Sequence, residues 1–383
     1  MTYTIEKVTT LIGARRYGDR DGNVGFILTD SRSLCFPEET LFFALKSERN
    51  DGHNYIPELY RRGVRNFVVS QVPKGYASDY PEANFLKVVN TLEALQRLAE
   101  RHRDEFNIPI VGITGSNGKT MVKEWLHQLL SPSMFVTRSP RSYNSQIGVP
   151  LSVWLLNEQT QVGVFEAGIS QPGEMLALRD IIQPTIAVLT YLGAAHQENF
   201  ESLEAKCREK IILFHDADTI VYNGDDKTVS GVVNEYKDYK GEKLFWSFRD
   251  TEAPFFVKNV EKKGNLSIIT YIYKGEEDSY SLPFIDEASV TNSIIAAVVS
   301  RRLGLSAEEL DKRMALLEPV AMRLEVKEGQ HGCTLINDSY NSDINSLDIA
   351  LDFMSRRPDH KGRRHTLILS DIFQSGESAK DLY

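Results

Sequence analysis

The chain has 383 residues, 42% of them hydrophobic and 25% charged, with a formal net charge of −9. That length allows two or three domains of roughly 100–200 residues, and the acidic balance argues against a nucleic-acid binder that relies on bulk positive charge. Cys35, Cys207 and Cys333 stand far apart with no C-x-x-C pair, which speaks against a zinc site or a disulfide framework and fits a reducing compartment.

Residues 1–16 carry no apolar core of signal-peptide length. The longest apolar runs, such as residues 294–299, fall far short of a membrane span. The expectation is a cytoplasmic multidomain protein. Residues 1 to about 105 read as a small α/β domain. Phe26-Ile27-Leu28, residues 40–45 and residues 64–70 predict strands, and residues 55–62 and 92–106 predict helices. Two polar loops lie between them, Thr29-Asp30-Ser31-Arg32 and the Asp-Gly turn Asn50-Asp51-Gly52-His53. Arg32 and His53 are candidate ligand contacts, because binding residues concentrate in such loops; ordinary solvated loop polars are an equally open reading.

Next comes Ile108-Pro109-Ile110-Val111-Gly112-Ile113-Thr114-Gly115-Ser116-Asn117-Gly118-Lys119-Thr120, an apolar run ending in a Gly-rich turn, followed by an amphipathic segment over residues 121–130. The pattern predicts a buried strand, a phosphate-cradling loop and a helix. The loop Gly115-Ser116-Asn117-Gly118 offers backbone N–H groups at a helix N-terminus, where the dipole favours an anion. Lys119 supplies a point charge for β/γ-phosphates, and the Thr120 hydroxyl can hold Mg²⁺. The standard G-x-x-x-x-G-K-[ST] spacing would need glycine at 113, where Ile113 stands. The stretch is therefore a P-loop variant.

From 106 to about 320, strands and helices alternate, as in a largely parallel, doubly wound α/β sheet. Expected strands are 108–113, 134–137, 162–166, 185–190 and 219–222; expected helices are 120–130, 145–155, 173–181 and 202–214. Ligands in such sheets bind beyond the carboxyl ends of the strands. Glu166 ends one strand, His196 follows another by a short loop, and Asn144 opens Asn-Ser-Gln-Ile-Gly-Val-Pro before a helix. A carboxylate and a histidine beside a P-loop suit a divalent metal; singly, Glu166 could partner a helix N-cap and His196 could be a satisfied loop histidine. Lys210 precedes Ile211-Ile212-Leu213-Phe214, where a lysine usually snorkels to solvent.

Short strands joined by Lys-Gly turns over residues 243–285 predict a small antiparallel meander within the central domain. Residues 289–302 and 308–317 predict helices, with Asn292 in the first turn of the former, and residues 319–325 a linker. Residues 333–336, 344–354 and 365–369 then read as strand, helix and strand, the start of a Rossmann-like β-α-β unit. Two strands and a helix are too few to bury a core of normal domain size, so this third domain is expected to be incomplete.

Thr-Gly-Ser-Asn-Gly-Lys-Thr, Asn144 to Pro150, Glu166-Ala-Gly-Ile-Ser, His196 and Asp338-Ser-Tyr-Asn together resemble the Mur ligases of peptidoglycan synthesis, over essentially the whole chain. Thr29 to Arg32 with Asp51-Gly52-His53, Ile147 to Pro150 and Pro172-Gly173-Glu174-Met175 resemble the branch that adds D-alanyl-D-alanine to UDP-N-acetylmuramoyl-tripeptide. The resemblance implies a three-domain ATP-dependent ligase. Residues 1–105 would hold the UDP substrate through Ser31, Arg32, Asp51 and His53. Residues 106–324 would bind ATP, and residues 325–383 would begin the Rossmann-like domain. Lys119 would bind phosphates and Thr120 a first Mg²⁺. Glu166, His196 and Lys210, the last carbamylated by CO₂, would hold a second. Asn144 would position the reacting groups, Asn292 would contact adenine, Arg323 the γ-phosphate and Asp338 the nucleotide. A monomer without nucleic-acid or membrane partners is expected, and some members are fused at the C-terminus to an alanine racemase. The chain departs from the family at Thr291-Asn292, where His-Asn is usual, and at Tyr340-Asn341-Ser342-Asp343-Ile344, where Tyr-Asn-Ala-Asn-Pro is usual. The rival readings are a sister Mur ligase, a folylpolyglutamate synthase-like ligase, whose loop typically reads Gly-Lys-Gly-Ser, and a P-loop nucleotide-binding module with no ligase activity.

Overall fold

The computed structural model describes residues 1–193, 197–237, 239–321, 325–339, 344–356 and 364–369. They form an α/β protein that divides into two compact units. The first comprises residues 1–107 with 143–159 and 180–182; the second comprises residues 108–142, 160–179 and 183–383.

The first unit opens with β1 (Tyr3–Thr4), α1 (Ile5–Leu11), β2 (Arg15–Tyr17), β3 (Asn23–Val24), β4 (Phe26–Leu28) and β5 (Thr40–Phe43). It continues through α2 (Ile56–Arg61), β6 (Asn66–Val69), α3 (Tyr76–Asp79), β7 (Asn84–Lys87) and α4 (Thr91–Arg103). Five strands make a sheet in the order β2-β7-β6-β5-β4, parallel except where β2 joins β7. Strands β5 and β6 are buried throughout, as apolar runs covered on both faces should be. Asn90 caps α4, accepting from the N–H groups of Leu92 and Glu93. Ala94, Leu95, Leu98 and Ala99 form its buried stripe. The pairing of β7 and the short helix α1 were not anticipated from sequence.

The chain then runs through β8 (Ile110–Thr114), α5 (Lys119–Leu130), β9 (Val136–Arg138), α6 (Gly148–Val153), β10 (Val162–Glu166), α7 (Glu174–Ile182), β11 (Ile186–Leu189), α8 (Leu203–Ile211), β12 (Thr219–Val221), α9 (Lys227–Glu235) and β13 (Glu242–Lys243). In the second unit six strands pair in parallel in the order β13-β12-β11-β8-β10-β9. The strand order reverses at β8, so the loops after β10, β8 and β11 leave from neighbouring carboxyl ends.

Four further strands follow, β14 (Trp246–Ser247), β15 (Phe255–Lys263), β16 (Leu266–Tyr273) and β17 (Glu276–Leu282). Buried residues alternate along β16, the pattern of a sheet with one face on the core. The expected all-antiparallel meander is wrong at one joint: β14 pairs with β15 in parallel, and only β15-β16-β17 is antiparallel. Helices α10 (Glu287–Arg302) and α11 (Ala307–Met314) share one core with these strands, β8 and α5. At the end lie β18 (Glu325–Glu328), β19 (Thr334–Asn337) and α12 (Ile344–Arg356), with β18 and β19 paired antiparallel. Residues 365–369, expected as a strand, are not one; Ile368 is 88% exposed. A strand needs a neighbour's N–H and C=O groups, and no described strand pairs with this stretch.

Candidate active site

The phosphate loop forms between β8 and α5, as the residue pattern requires. Five consecutive buried residues drive β8 into the sheet, and the helix begins at Lys119. Two glycines shape the turn. Gly115 has φ 144° and Gly118 φ 87°, conformations that side chains with a Cβ rarely adopt. Their neighbours also demand glycine: a Cβ on Gly115 would lie 2.0 Å from Thr190 Oγ1, and one on Gly118 would lie 2.4 Å from Asn292 Oδ1.

The loop is fastened to the end of β11. Ser116 N donates to Tyr191 O at 2.6 Å, and Thr190 Oγ1 donates to Asn117 O at 2.6 Å. Ser116 Oγ donates to Gly193 O at 3.0 Å. Lys119 Nζ lies across the loop, donating to Gly115 O at 2.7 Å and Ser116 O at 3.0 Å. Among the described residues the buried Nδ2 of Asn117 has no hydrogen-bond partner, a donor suited to an anionic ligand.

Glu166 ends β10 with no solvent exposure. Its Oε2 accepts from Thr120 Oγ1 at 3.1 Å, and its Oε1 faces Lys123 Nζ at 3.1 Å. It thus meets the first two turns of α5 through side chains rather than as a helix cap. Lys123 was missed in the sequence. Its only signal was its place on α5, whose buried face otherwise carries Val122, Trp125, Leu126 and Leu129.

Lys210 does not snorkel. It is 3% exposed, and its Nζ donates to Gly115 O at 3.2 Å. The reason is tertiary: α8 lies against the phosphate loop, so the side chain of Lys210 is covered. Burial, then the ammonium groups of Lys119 and Lys206, push its pKa well below the ordinary lysine value. Lys206 is also buried and donates to Gly193 O. Asn292 lies in the second turn of α10 rather than the first. It faces Gly118, and its Nδ2 donates to Met121 Sδ at 3.2 Å. Asp338 is half-buried just after β19. His196 and Arg323 lie outside the described residues.

The remaining candidates are in the first unit. Asn144 is in the loop before α6, partly buried. Asp30 and Asp51 build two matching turns, accepting from Arg32 N and His53 N, each at 3.0 Å. Asp30 also pairs with the Arg32 guanidinium at 2.6 Å, and that hydrogen bonding holds its carboxyl down at about 2. Arg62 donates to Ser31 O at 2.8 Å. His53 Nδ1 lies 2.6 Å from Asp51 Oδ1, and its Nε2 accepts from Ser70 N at 3.1 Å. That acceptor role puts the proton on Nδ1.

The arrangement of cations at a glycine loop, one carboxylate and a threonine hydroxyl suits a nucleotide polyphosphate. Among the described residues no three His, Cys, Asp or Glu side chains gather as a metal cage. One carboxylate and one hydroxyl suit Mg²⁺, which takes much of its shell from phosphate and water.

Residues 113–300 match the Mur ligase middle domain. A UDP-N-acetylmuramoyl-tripeptide–D-alanyl-D-alanine ligase of Bacillus subtilis is 28% identical over 359 residues, which cover 92% of this chain and 74% of the relative. Among solved structures, MurF from Acinetobacter baumannii superposes with a TM-score of 0.84 at 23% identity, covering 93% of this chain and 77% of that one. MurF from Thermotoga maritima, solved in complex with ADP, gives 0.74 at 24% identity, covering 87% and 75%. With the phosphate loop, Glu166 and the parallel sheet in place, residues 113–300 form a Mur ligase middle domain.

Proposed function

We propose that the chain is an ATP-dependent, ADP-forming peptide ligase that adds D-alanyl-D-alanine to UDP-N-acetylmuramoyl-tripeptide in peptidoglycan precursor synthesis. The observation that carries this reading is the contact of Thr120 with Glu166 beside a Lys119 that lies across the glycine loop at the N-terminus of α5, in a chain whose relatives bear that name.

The tripeptide carboxylate attacks the γ-phosphorus of ATP; the bond to the β-phosphate oxygen breaks, and ADP leaves. The dipeptide amine then attacks the carbonyl of the acyl phosphate, phosphate departs, and the nitrogen loses its proton. The ammonium of Lys119 and the loop N–H groups other than that of Ser116 stabilise charge on the transferring group, so catalysis is mostly positioning and electrostatics. Thr120 would hold a first Mg²⁺, and Glu166, His196 and a carbamylated Lys210 a second. When bound, the metal neutralises phosphate charge. The burial of Lys210 beside Gly115 supports a role for it there.

The finer assignments follow the family resemblance. Residues 1–105 bind the UDP end through Ser31, Arg32, Asp51 and His53, residues 106–324 bind ATP, and residues 325–383 begin the third domain. Asn144 positions the reacting groups; Asn292, Arg323 and Asp338 contact the nucleotide. The same reading makes the protein a cytoplasmic monomer, with an alanine racemase fused at the C-terminus as a further family arrangement.

Phosphate release from ATP tests the reading. Release should require both the UDP-muramoyl tripeptide and the dipeptide, and Lys119→Ala should lower it by at least about 10²-fold while leaving UDP-substrate binding intact. Nucleotide hydrolysis indifferent to both substrates would refute the ligase. Turnover with a single amino acid in place of the dipeptide would point to a sister Mur ligase.

A further inference from the structure

The ammonium of Lys123 is fully buried and surrounded by oxygens. Besides Glu166 Oε1, it meets Glu124 Oε1 at 3.0 Å. It donates to Ser139 O at 2.9 Å and also to Arg141 O. Arg141 is a non-glycine residue at φ 49°, and Lys123 holds the carbonyl of that strained residue. Next to it, Ser142 Oγ lies 3.2 Å from Thr120 Oγ1. Ser139 is tied to Glu166 as well, its Oγ accepting from Glu166 N at 3.2 Å.

One side chain therefore joins the end of β10, the loop after β9 and the second turn of α5. Packing alone does not call for it. Buried ion pairs are often no more stabilising than apolar residues of similar volume, and the rest of this helix face is apolar. What an ammonium does here that a methionine could not is fix the carboxylate. With Oε1 in ion-pair contact with Lys123, Oε2 is turned toward Thr120, the hydroxyl at the phosphate loop.

We propose that Lys123 is a positioning residue of the phosphate site: it orients Glu166 toward Thr120 and pins residues 139–142 beside them, so that the oxygen ligands stand ready for a nucleotide-bound divalent ion. This rests on the ligase reading only in taking Glu166 and Thr120 as the groups beside that ion.

The test is calorimetric titration of the whole chain with ADP, with and without Mg²⁺, beside thermal melting. The parent chain should bind ADP more tightly when Mg²⁺ is present. Lys123→Met should cut that Mg²⁺-dependent gain by roughly 10–100-fold, the usual effect of losing a residue that orients a metal ligand. Its affinity for ADP alone should not change. A variant that melts earlier yet keeps the full gain would reduce Lys123 to a structural residue and overturn the proposal. If Lys123→Met does not fold, the comparison moves to Glu166→Gln with and without Lys123→Met, since the amide removes the uncompensated carboxylate. Equal gains in those two support action through Glu166, and a further loss in the double variant overturns it. A parent chain with no Mg²⁺-dependent gain would remove the ligase reading of the site, and this inference with it; that failure shows before any variant is made.

Discussion

His102 shows how one buried side chain ties stability to pH. It is 1% exposed on α4, between Tyr3 and Leu156. Its Nε2 lies 3.1 Å from Leu156 O, a group that only accepts, so Nε2 carries the proton and Nδ1 accepts from Tyr3 Oη at 2.8 Å. Burial depresses its pKa from 6.5 to about 4. The folded chain thus keeps the imidazole neutral while the unfolded chain takes up a proton between those values. This contribution is complete above pH 6.5 and is lost as pH falls toward 4, with an upper bound of about 3 kcal/mol. Urea titrations across that window should show a falling midpoint, and His102→Gln should flatten the slope. The same logic of burial separates Lys210 from an ordinary surface lysine. Neither residue differs in its local sequence from a solvated one.

At the scale of the element, α5 is organised by what precedes it. Gly118 at φ 87° starts the helix with Asn292 of α10 against it. Gly118→Ala should cost about 1–3 kcal/mol in backbone strain, with added displacement of Asn292 and weaker ADP binding. Gly231 gives the contrast. It lies inside α9 with no positive φ, and a Cβ added there would meet nothing within 4 Å. Gly231→Ala should stabilise by about 0.5–1 kcal/mol and leave ADP binding alone. Denaturation midpoints and ADP titrations on the two variants separate the loop's requirement for glycine from a general cost of replacing it.

On the scale of the whole molecule, the chain interleaves its two units. Residues 143–159 belong to the first, although residues 108–142 before them belong to the second. Trp154 is the anchor of that excursion. Its ring lies 4.6 Å from His102 and 5.4 Å from Tyr3, and its Nε1 donates to Gly25 O at 3.0 Å. Trp154→Ala should destabilise by about 3–5 kcal/mol. The loss should fall on the first unit: hydrogen exchange should speed in β5, β6 and α4 while β8, β10 and β11 stay protected. Equal loss in both units would mean that they unfold as one.

Much was legible in the sequence. The phosphate loop, the alternation of strands and helices and the family resemblance are written in local patterns, because a buried strand, a glycine turn and an amphipathic helix each need particular residue types at short spacing. The paired turns at Asp30 and Asp51 are local too. What the tertiary structure alone decided is which charges are buried and against what. Lys123 meets Glu166 from 43 residues away, Lys210 reaches Gly115 across 95 residues, and Asn292 faces Gly118 from another helix. The parallel joint of β14 and the absence of a strand at residues 365–369 are likewise decided by available neighbours. A sequence pattern sets which face of an element is apolar; only the packed fold sets what stands opposite it, and the chemistry of this site depends on those opposing groups.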